Sequence, residues 1–277
     1  MRPVVNLGLL FTELPWAQRF PAAAAAGFDG VEFPWPPLPP EEVVRLARVS
    51  RLRVALLNMD AGDLAAGERG YTNDPRQAGR WREQLRRAVQ LAVHLDCPLV
   101  NVLAGRQLAG LSRADQLGCL TDNLRWAADL ARAAGRTLVV EPINDRDVPG
   151  YLLPRVDDVL AVLDELDTVT VRLQLDTYHA AVMGDDPPAC VMAAGARLGH
   201  VQLADFPGRH EPGSGRLDLD ALFGALTQVG YVGALGLEYQ PTMPSAESLR
   251  AVATRHPRLA PQTEVPSPPE SGQETAA

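Results

Sequence analysis

The chain contains no lysine, and all 26 of its basic residues are arginine. A Schiff base with a carbonyl substrate or with pyridoxal phosphate needs a lysine amine. The phosphate-binding loop of the GxxxxGK[ST] type also depends on its lysine. The sequence therefore excludes class I aldolase chemistry, pyridoxal phosphate enzymes and nucleotide hydrolases that use this loop.

Cysteine is also scarce: Cys97, Cys119 and Cys190 are the three in the chain, and they show no CxxC spacing. This count predicts buried thiols in a reducing compartment rather than a disulfide framework. The first twenty residues hold only a short apolar run, interrupted by Glu13, which fits neither a secretion signal nor a membrane span. We therefore expect a cytoplasmic protein with no membrane partner.

Positive charge is in deficit, since 34 acidic residues against 26 basic ones give a formal net charge of -8. A surface of this charge is poorly suited to neutralising the phosphates of nucleic acid. We expect a small-molecule substrate and no nucleic-acid partner, and an anionic substrate would have to meet local arginines. Pairing of the chain into a homo-oligomer is left open by the sequence.

Short apolar runs alternate with longer helical patterns as far as about residue 250, which is typical of βα units around a buried parallel sheet. The runs predict eight strands, at residues 4–10, 30–33, 54–58, 99–103, 138–141, 171–176, 200–204 and 234–239. Amphipathic helices are predicted between them, for example at residues 76–95 and 112–134, and His200 is interpreted as a packing residue. The pattern predicts one α/β domain, a (β/α)₈ TIM barrel over residues 1–255, followed by a disordered tail over residues 256–277.

Four predicted strands carry an oxygen-bearing side chain at or near their ends, namely Glu141, Asp176, Gln202 and Glu238. Successive gaps of about one βα unit place them on four consecutive strands. Strand ends converge at the C-terminal mouth of a barrel, where three carboxylates repel one another unless a cation neutralises them. Oxygen ligands select hard ions, so these residues predict one divalent metal ion, Mg²⁺ or Mn²⁺, and no organic cofactor. The alternative is that each acid caps a helix or pairs with an arginine.

A metal that binds a carbonyl oxygen and a neighbouring hydroxyl lowers the cost of removing a proton from the carbon beside them. Two carboxylates that flank the resulting enediolate can remove the proton and return it to the adjacent carbon. Glu141 and Glu238 are the longer acids and come from the fifth and eighth strands. We therefore predict that they are the catalytic pair as well as metal ligands, whereas the shorter Asp176 suits ligation alone.

Five further residues are predicted to contact the substrate. His179 follows the sixth strand and could donate a hydrogen bond to a substrate oxygen, and Arg209 could bind a carboxylate with two hydrogen bonds. Asn58 ends the third strand, and Glu68 and Arg69 lie in the long glycine-flanked loop that follows, which could act as a lid. The respective alternatives are a structural histidine, a surface arginine and an exposed ion pair.

The segments around these residues resemble the hydroxypyruvate isomerase family of xylose isomerase-like barrels, from the first strand to about residue 250. The matching segments are AGDLAAGERG at residues 61–70, VEPIN at 140–144, QLDTYH at 174–179, GHVQLAD at 199–205, EPGSG at 211–215 and LEY at 237–239. The resemblance implies an isomerase that interconverts hydroxypyruvate and tartronate semialdehyde, with Glu141 and Glu238 as acid and base. Members often carry histidine at the position of Leu57, and ketose 3-epimerases share the ligand set.

Three alternatives on the same barrel are isomerisation of 2-oxo-tetronate, epimerisation of a ketose at C3, and binding of a sugar acid without catalysis. A DNA-repair nuclease of the same superfamily would need several metals, additional histidine ligands and a basic face. Five histidines and a net charge of -8 argue against the nuclease.

Overall fold

A computed structural model describes residues 1–261 of the chain. Its strands are β1 (Arg2–Asn6), β2 (Gly30–Phe33), β3 (Arg53–Asn58), β4 (Leu99–Asn101), β5 (Thr137–Val140), β6 (Val171–Asp176), β7 (Leu198–Leu203) and β8 (Ala234–Leu237). They form a closed barrel in chain order, and β8 pairs in parallel with β1. The predicted (β/α)₈ barrel is therefore confirmed.

The helices of the described residues are α1 (Trp16–Ala25), α2 (Pro40–Val49), α3 (Ala78–His94), α4 (Arg113–Ala133), α5 (Val156–Leu166), α6 (Thr177–Val182), α7 (Pro187–Ala194), α8 (Leu219–Gln228) and α9 (Ser245–Arg255). Helix α4 shows how local sequence sets such bounds. The Ser112 side chain caps it by accepting a hydrogen bond from the backbone of Asp115, and Gly135 follows its end with a φ of 65°. No helix in residues 1–261 has the length and apolar character needed to cross a membrane.

The structure differs most from the predicted elements near the two ends of the chain, and β4, β7 and β8 also end earlier than predicted, at Asn101, Leu203 and Leu237. The first strand covers residues 2–6 rather than 4–10, because the chain turns after Asn6, whose carbonyl accepts a hydrogen bond from the Leu10 N–H at 2.9 Å. Apolar residues in a buried turn cannot be told from a strand by hydrophobicity alone. The predicted tail begins too early, since Pro257–Leu259 form a 3₁₀ turn and Leu259 is fully buried. The rest of the predicted tail, 262–277, lies outside the described residues.

The barrel interior is polar beneath the mouth on one side. Asn6, Glu32, Gln174, His200 and Gln202 are all buried. The Glu32 side chain contacts His200 and Gln202, although β2 and β7 are not neighbours in the barrel, so these contacts pass through its interior. His200, predicted as a packing residue, is thus part of a hydrogen-bonded network.

Candidate active site

The C-terminal ends of the strands surround a cavity of about 350 Å³. Six of the predicted site residues line it: Asn58, Arg69, Glu141, His179, Arg209 and Glu238. Asp176, the last residue of β6, is fully buried directly against this group, and atoms of Glu141, Asp176 and His179 lie within 4.8 Å of one another. The fold thus brings seven of the nine predicted residues to one place.

A larger cavity, of about 950 Å³, lies at the opposite end of the barrel. Arg2, Arg53 and Arg136 are among its lining residues, and Asp29 pairs with the first two. In barrel enzymes the chemistry takes place where the strands end, and residues where the strands begin serve stability. We therefore take the smaller cavity as the candidate active site.

Arg209 lies between the acids of the site. Its Nη2 is 2.7 Å from Oδ2 of Asp176 and 3.2 Å from Oε1 of Glu238. Burial disfavours the charge of Arg209, but Asp176 and Glu238 outweigh this effect and raise its pKa. Asp176 and Glu238 therefore pair with an arginine, which the sequence analysis gave as the alternative to metal binding. The positive charge of Arg209 is already compensated within the protein, which makes it less available to a substrate carboxylate.

The loop after β7 holds Arg209 in place, at a positive φ of 57°. Asp205 is fully buried and accepts hydrogen bonds from three backbone N–H groups of the loop. Glu211 accepts hydrogen bonds from Thr242 and Ser248 and so ties this loop to the segment after β8. Asp205 and Glu211, which lie in the matching segments GHVQLAD and EPGSG, therefore stabilise the loop.

Burial favours the protonated form of both predicted catalytic acids. Burial, followed by the negative charge of Asp176, raises the pKa of Glu141 to about 8, and Asn101 Nδ2 donates a hydrogen bond of 2.8 Å to its Oε2. Burial raises the pKa of Glu238 well above its usual range, although Arg209 acts in the opposite direction. Buried acids with such shifts are suited to general acid–base catalysis near neutral pH.

His179 is held in one tautomer by its neighbour Asn144. The Asn144 Oδ1 accepts two backbone N–H groups of its own loop, so its amide nitrogen must face His179 Nδ1, at 2.6 Å. Nδ1 therefore accepts, and the proton of the neutral ring is on Nε2, which lies 3.7 Å from Asp176 and 4.0 Å from Glu141. Burial lowers the pKa of His179 to about 4, so the ring is neutral at pH 7. A protonated Nε2 favours hydrogen-bond donation to substrate over metal ligation.

The oxygens at the mouth fit a hard divalent cation. Among residues 1–261, Glu141, Asp176 and His179 form a group whose atoms lie close enough together to share an ion. Glu238 is joined to Asp176 through Arg209, and its buried Oε2 has no hydrogen-bond partner within the part of the chain that the structure describes. Gln202 lies beside Asp176 in register on the next strand. Carboxylate and amide oxygens are the ligands that Mg²⁺ and Mn²⁺ prefer.

Glu68 and Arg69, in the long loop after β3, have different surroundings. Glu68 does not line the cavity: its Oε2 accepts hydrogen bonds from the Asp63 backbone and the Tyr71 hydroxyl, both at 2.6 Å, and so braces the loop. Arg69 lines the cavity and donates to the backbone carbonyls of Leu64 and Glu68, at 2.9 and 2.7 Å. The acid–arginine pair considered from the sequence is therefore not formed.

Three polar residues at the site were not singled out from the sequence as functional. Asn101 orients Glu141, Asn144 orients His179, and Glu32 binds Gln202. Asn101 ends β4, the position at which the other site residues also stand, and this signal could have identified it. Glu32 lies inside an apolar run, where a buried charge requires partners.

Comparisons with known proteins show which family the chain resembles. Residues 20–255 match the family model described as xylose isomerase-like TIM barrel. A 2-oxo-tetronate isomerase from Cupriavidus necator is 38% identical, with 87% of this chain and 93% of the relative covered. A hydroxypyruvate isomerase from Escherichia coli is 34% identical, with 90% and 97% covered. The crystal structure of a protein from Brucella melitensis, named AP endonuclease, family 2, is 35% identical with a TM-score of 0.87, covering 91% of this chain and 98% of that one.

Proposed function

The chain belongs to the xylose isomerase-like TIM barrel family, and from this premise we propose that it is an isomerase that interconverts hydroxypyruvate and tartronate semialdehyde (2-hydroxy-3-oxopropanoate). The observation that carries the proposal is that two carboxyl groups, the buried Glu141 and the part-buried Glu238, face one cavity, where loss of contact with water raises the pKa of each. Such a pair can exchange protons with neighbouring carbons of a small substrate. Relatives with isomerase names support the reaction class.

We further propose that one divalent cation, Mg²⁺ or Mn²⁺, is held by Glu141, Asp176, Gln202 and Glu238, which offer oxygen donors. When bound, the cation would polarise the carbonyl and hydroxyl oxygens of the substrate. Arg209 would share Asp176 and Glu238 with it, since the arginine already pairs with both. When all three are ionised, Glu141, Asp176 and Glu238 carry three negative charges, which equal the charge of Arg209 and the divalent cation together.

The reaction moves one hydrogen from C3 of hydroxypyruvate to C2. One glutamate of the pair, in its ionised form, removes a proton from C3, and the electron pair left behind forms the C2–C3 double bond while the carbonyl electrons move onto O2. The other glutamate, in its acid form, gives a proton to C2. The hydroxyl proton of O3 is transferred to O2, and C3–O3 becomes the new carbonyl. His179, neutral with its proton on Nε2, donates a hydrogen bond to the oxygen on which negative charge develops.

We assign the substrate carboxylate to Arg69. None of the carboxylates in residues 1–261 forms an ion pair with Arg69, whose guanidinium donates only to backbone carbonyls. Arg209, the other candidate, already binds Asp176 and Glu238. An anionic substrate therefore gains more from Arg69, because that charge is not yet compensated. Asn58, which lines the same cavity, is available for a substrate hydroxyl.

The direct test is to incubate Mn²⁺-loaded protein with hydroxypyruvate in D₂O and to follow product formation and deuterium incorporation by NMR. Glu141→Gln and Glu238→Gln should each abolish incorporation, because a carboxamide cannot take up the proton. Glu83→Gln, which changes a glutamate with a 66% exposed side chain, is the matched control. Near-normal turnover in either site variant would remove that residue from the proton transfer.

A second candidate reaction is isomerisation of 2-oxo-tetronate, favoured by the relative from Cupriavidus necator. It uses the same proton transfer on an acid that is one carbon longer, so relative kcat/KM for the two acids decides between them. Conversion of an uncharged ketose with equal efficiency would favour a 3-epimerase instead. Tight binding of either acid without deuterium incorporation would indicate a binding protein.

The endonuclease activity that the name of the Brucella melitensis protein suggests is not supported as a function of this chain. A net charge of -8 opposes binding to phosphodiester backbones. We also propose the cytoplasm as the place of the reaction, because the three cysteines are free thiols and such thiols persist in reducing compartments.

A further inference from the structure

A buried glutamate inside the barrel has no part in the proton transfer described above. Glu32, on β2, is fully buried and accepts hydrogen bonds of 2.9 Å from Asn6 Nδ2 and 2.7 Å from Gln202 Nε2, and its Oε2 is hydrogen-bonded to His200 Nε2 at 2.6 Å. A buried carboxylate is costly unless its oxygens are bonded in this way. These hydrogen bonds offset the cost of burying Glu32.

Space for the carboxylate comes from a glycine on β8. A Cβ at Gly236 would stand 2.4 Å from Oε1 of Glu32, and Gly236 lies in register beside Gln202. The absence of a side chain lets Glu32 reach from β2 across the barrel to β7. The barrel interior therefore holds both Glu32 and the space beside Gly236 that its carboxylate occupies.

Glu32 sets the orientation of the Gln202 amide. The Oε1 of Glu32 accepts from both Asn6 Nδ2 and Gln202 Nε2, so the Gln202 amide turns its nitrogen toward Glu32. Its oxygen then faces β6, where it accepts a hydrogen bond of 2.7 Å from Gln174 Nε2. Asp176, one of the proposed cation ligands, lies on the same strand and in register with Gln202.

We propose that Glu32 is a positioning residue that locks the Gln202 amide so that its oxygen, and not its nitrogen, is presented on the side of Asp176. The inference rests on the proposed function, because Gln202 needs this orientation only if it binds the cation. An amide nitrogen cannot ligate a hard cation, so an unlocked amide would spend part of its time in an unproductive orientation. Outer partners of metal ligands act in this way in other sites.

The test measures Mn²⁺ binding by isothermal titration calorimetry, with thermal unfolding in EDTA recorded for every variant. Glu32→Gln keeps the size of the side chain but can both donate and accept, so it no longer dictates the direction of the amide. We expect it to weaken Mn²⁺ binding by about 10- to 100-fold, the usual effect of removing an outer partner. Gln202→Ala should weaken binding to a similar degree, and the two changes combined should cost little more than either alone.

A rescue variant tests whether Glu32 positions the Gln202 amide or only supports the fold. It also keeps the inference testable if Glu32→Gln folds poorly. The double variant Glu32→Gln/Gln202→Glu exchanges carboxylate and amide, so one hydrogen bond and one negative charge remain between the two positions. The ligand position then has two oxygens and needs no orientation, and Mn²⁺ affinity should return to within about threefold of the wild type, the spread expected between contexts.

Wild-type Mn²⁺ affinity in Glu32→Gln, or a loss that the exchange does not restore, would overturn the inference while the proton transfer could still be observed with hydroxypyruvate in D₂O. Unchanged affinity in Gln202→Ala would overturn it too, by removing Gln202 from the ligand set. A wild-type protein that binds no Mn²⁺ would overturn both the inference and the proposed metal site.

Discussion

Replacing Arg209 by leucine should destabilise the metal-free protein strongly. Arg209 is the cation closest to Asp176 and Glu238, at 2.7 and 3.2 Å, and the side chain of Asp176 is fully buried. Removing one partner of a buried ion pair leaves an uncompensated charge and costs about 3–5 kcal/mol. For a chain of this size the melting temperature should fall by about 10 °C, since each kcal/mol corresponds to about 2–4 °C.

The loss should grow with pH. Burial raises the pKa values of Glu141 and Glu238, and Arg209 opposes that rise in both, so its removal raises them further. A carboxyl group whose pKa is higher in the folded state than in the unfolded state stabilises the fold while it is protonated, and this contribution is lost as pH rises through the folded pKa. For Glu141 that window extends from about 4.5 to about 8 in the wild type. The variant should therefore lie closer to the wild type at pH 5.5 than at pH 8.5.

The measurement is thermal and urea unfolding in EDTA at both pH values, repeated with Mn²⁺, which should recover part of the loss by replacing the missing positive charge. Arg132→Leu is the control, because its pair with Asp129 is exposed and should contribute less than about 1 kcal/mol. Equal effects of the two variants, or a loss at Arg209 that does not depend on pH, would refute the charge balance inferred for the site.

Three further predictions concern the chemistry. Mn²⁺ affinity should rise with pH up to about 8, because a proton on Glu141 competes with the cation. Calorimetry in buffers of different ionisation enthalpy should detect the proton released on binding. An affinity that does not change with pH would contradict the raised pKa of Glu141. Arg69→Gln should lower kcat/KM for hydroxypyruvate by about 10- to 100-fold and leave kcat/KM for an uncharged ketose unchanged. Arg106 is bonded to backbone carbonyls outside the cavity, so the control Arg106→Gln should change neither value. Asn144→Asp should move the ring proton of His179 to Nδ1 and reduce kcat by about tenfold. The ¹⁵N chemical shifts of the imidazole report the tautomer. An unchanged tautomer would refute the role assigned to Asn144.

Much of the site could be predicted from the sequence because barrel topology converts sequence position into spatial position. A residue at the end of a parallel strand reaches the C-terminal mouth wherever it stands in the chain. Glu141, Asp176 and Glu238 could be grouped for this reason, and so could His179, which follows Asp176 on α6. Asn101 obeys the same rule at the end of β4 and could have been added.

The placement of loop side chains could not be predicted in the same way. Glu68 and Arg69 are adjacent and polar, yet one braces the loop and the other lines the cavity. Which of them turns inward depends on the course of the loop and on the Tyr71 hydroxyl that Glu68 accepts from. Arg209 likewise follows glycine and proline, and nothing local shows that it pairs with acids rather than with substrate.

Local hydrophobic patterning determined the eight strands and the barrel, because each run of buried apolar residues reports its own environment without reference to distant parts of the chain. Only the tertiary structure decided the electrostatics of the mouth and the network beneath it. Arg209 meets Asp176 across 33 residues, and Glu32 meets His200 across 168, and such contacts exist only once the barrel closes. Charge balance and hydrogen-bond direction are properties of groups that the fold brings together, and a linear pattern does not contain them.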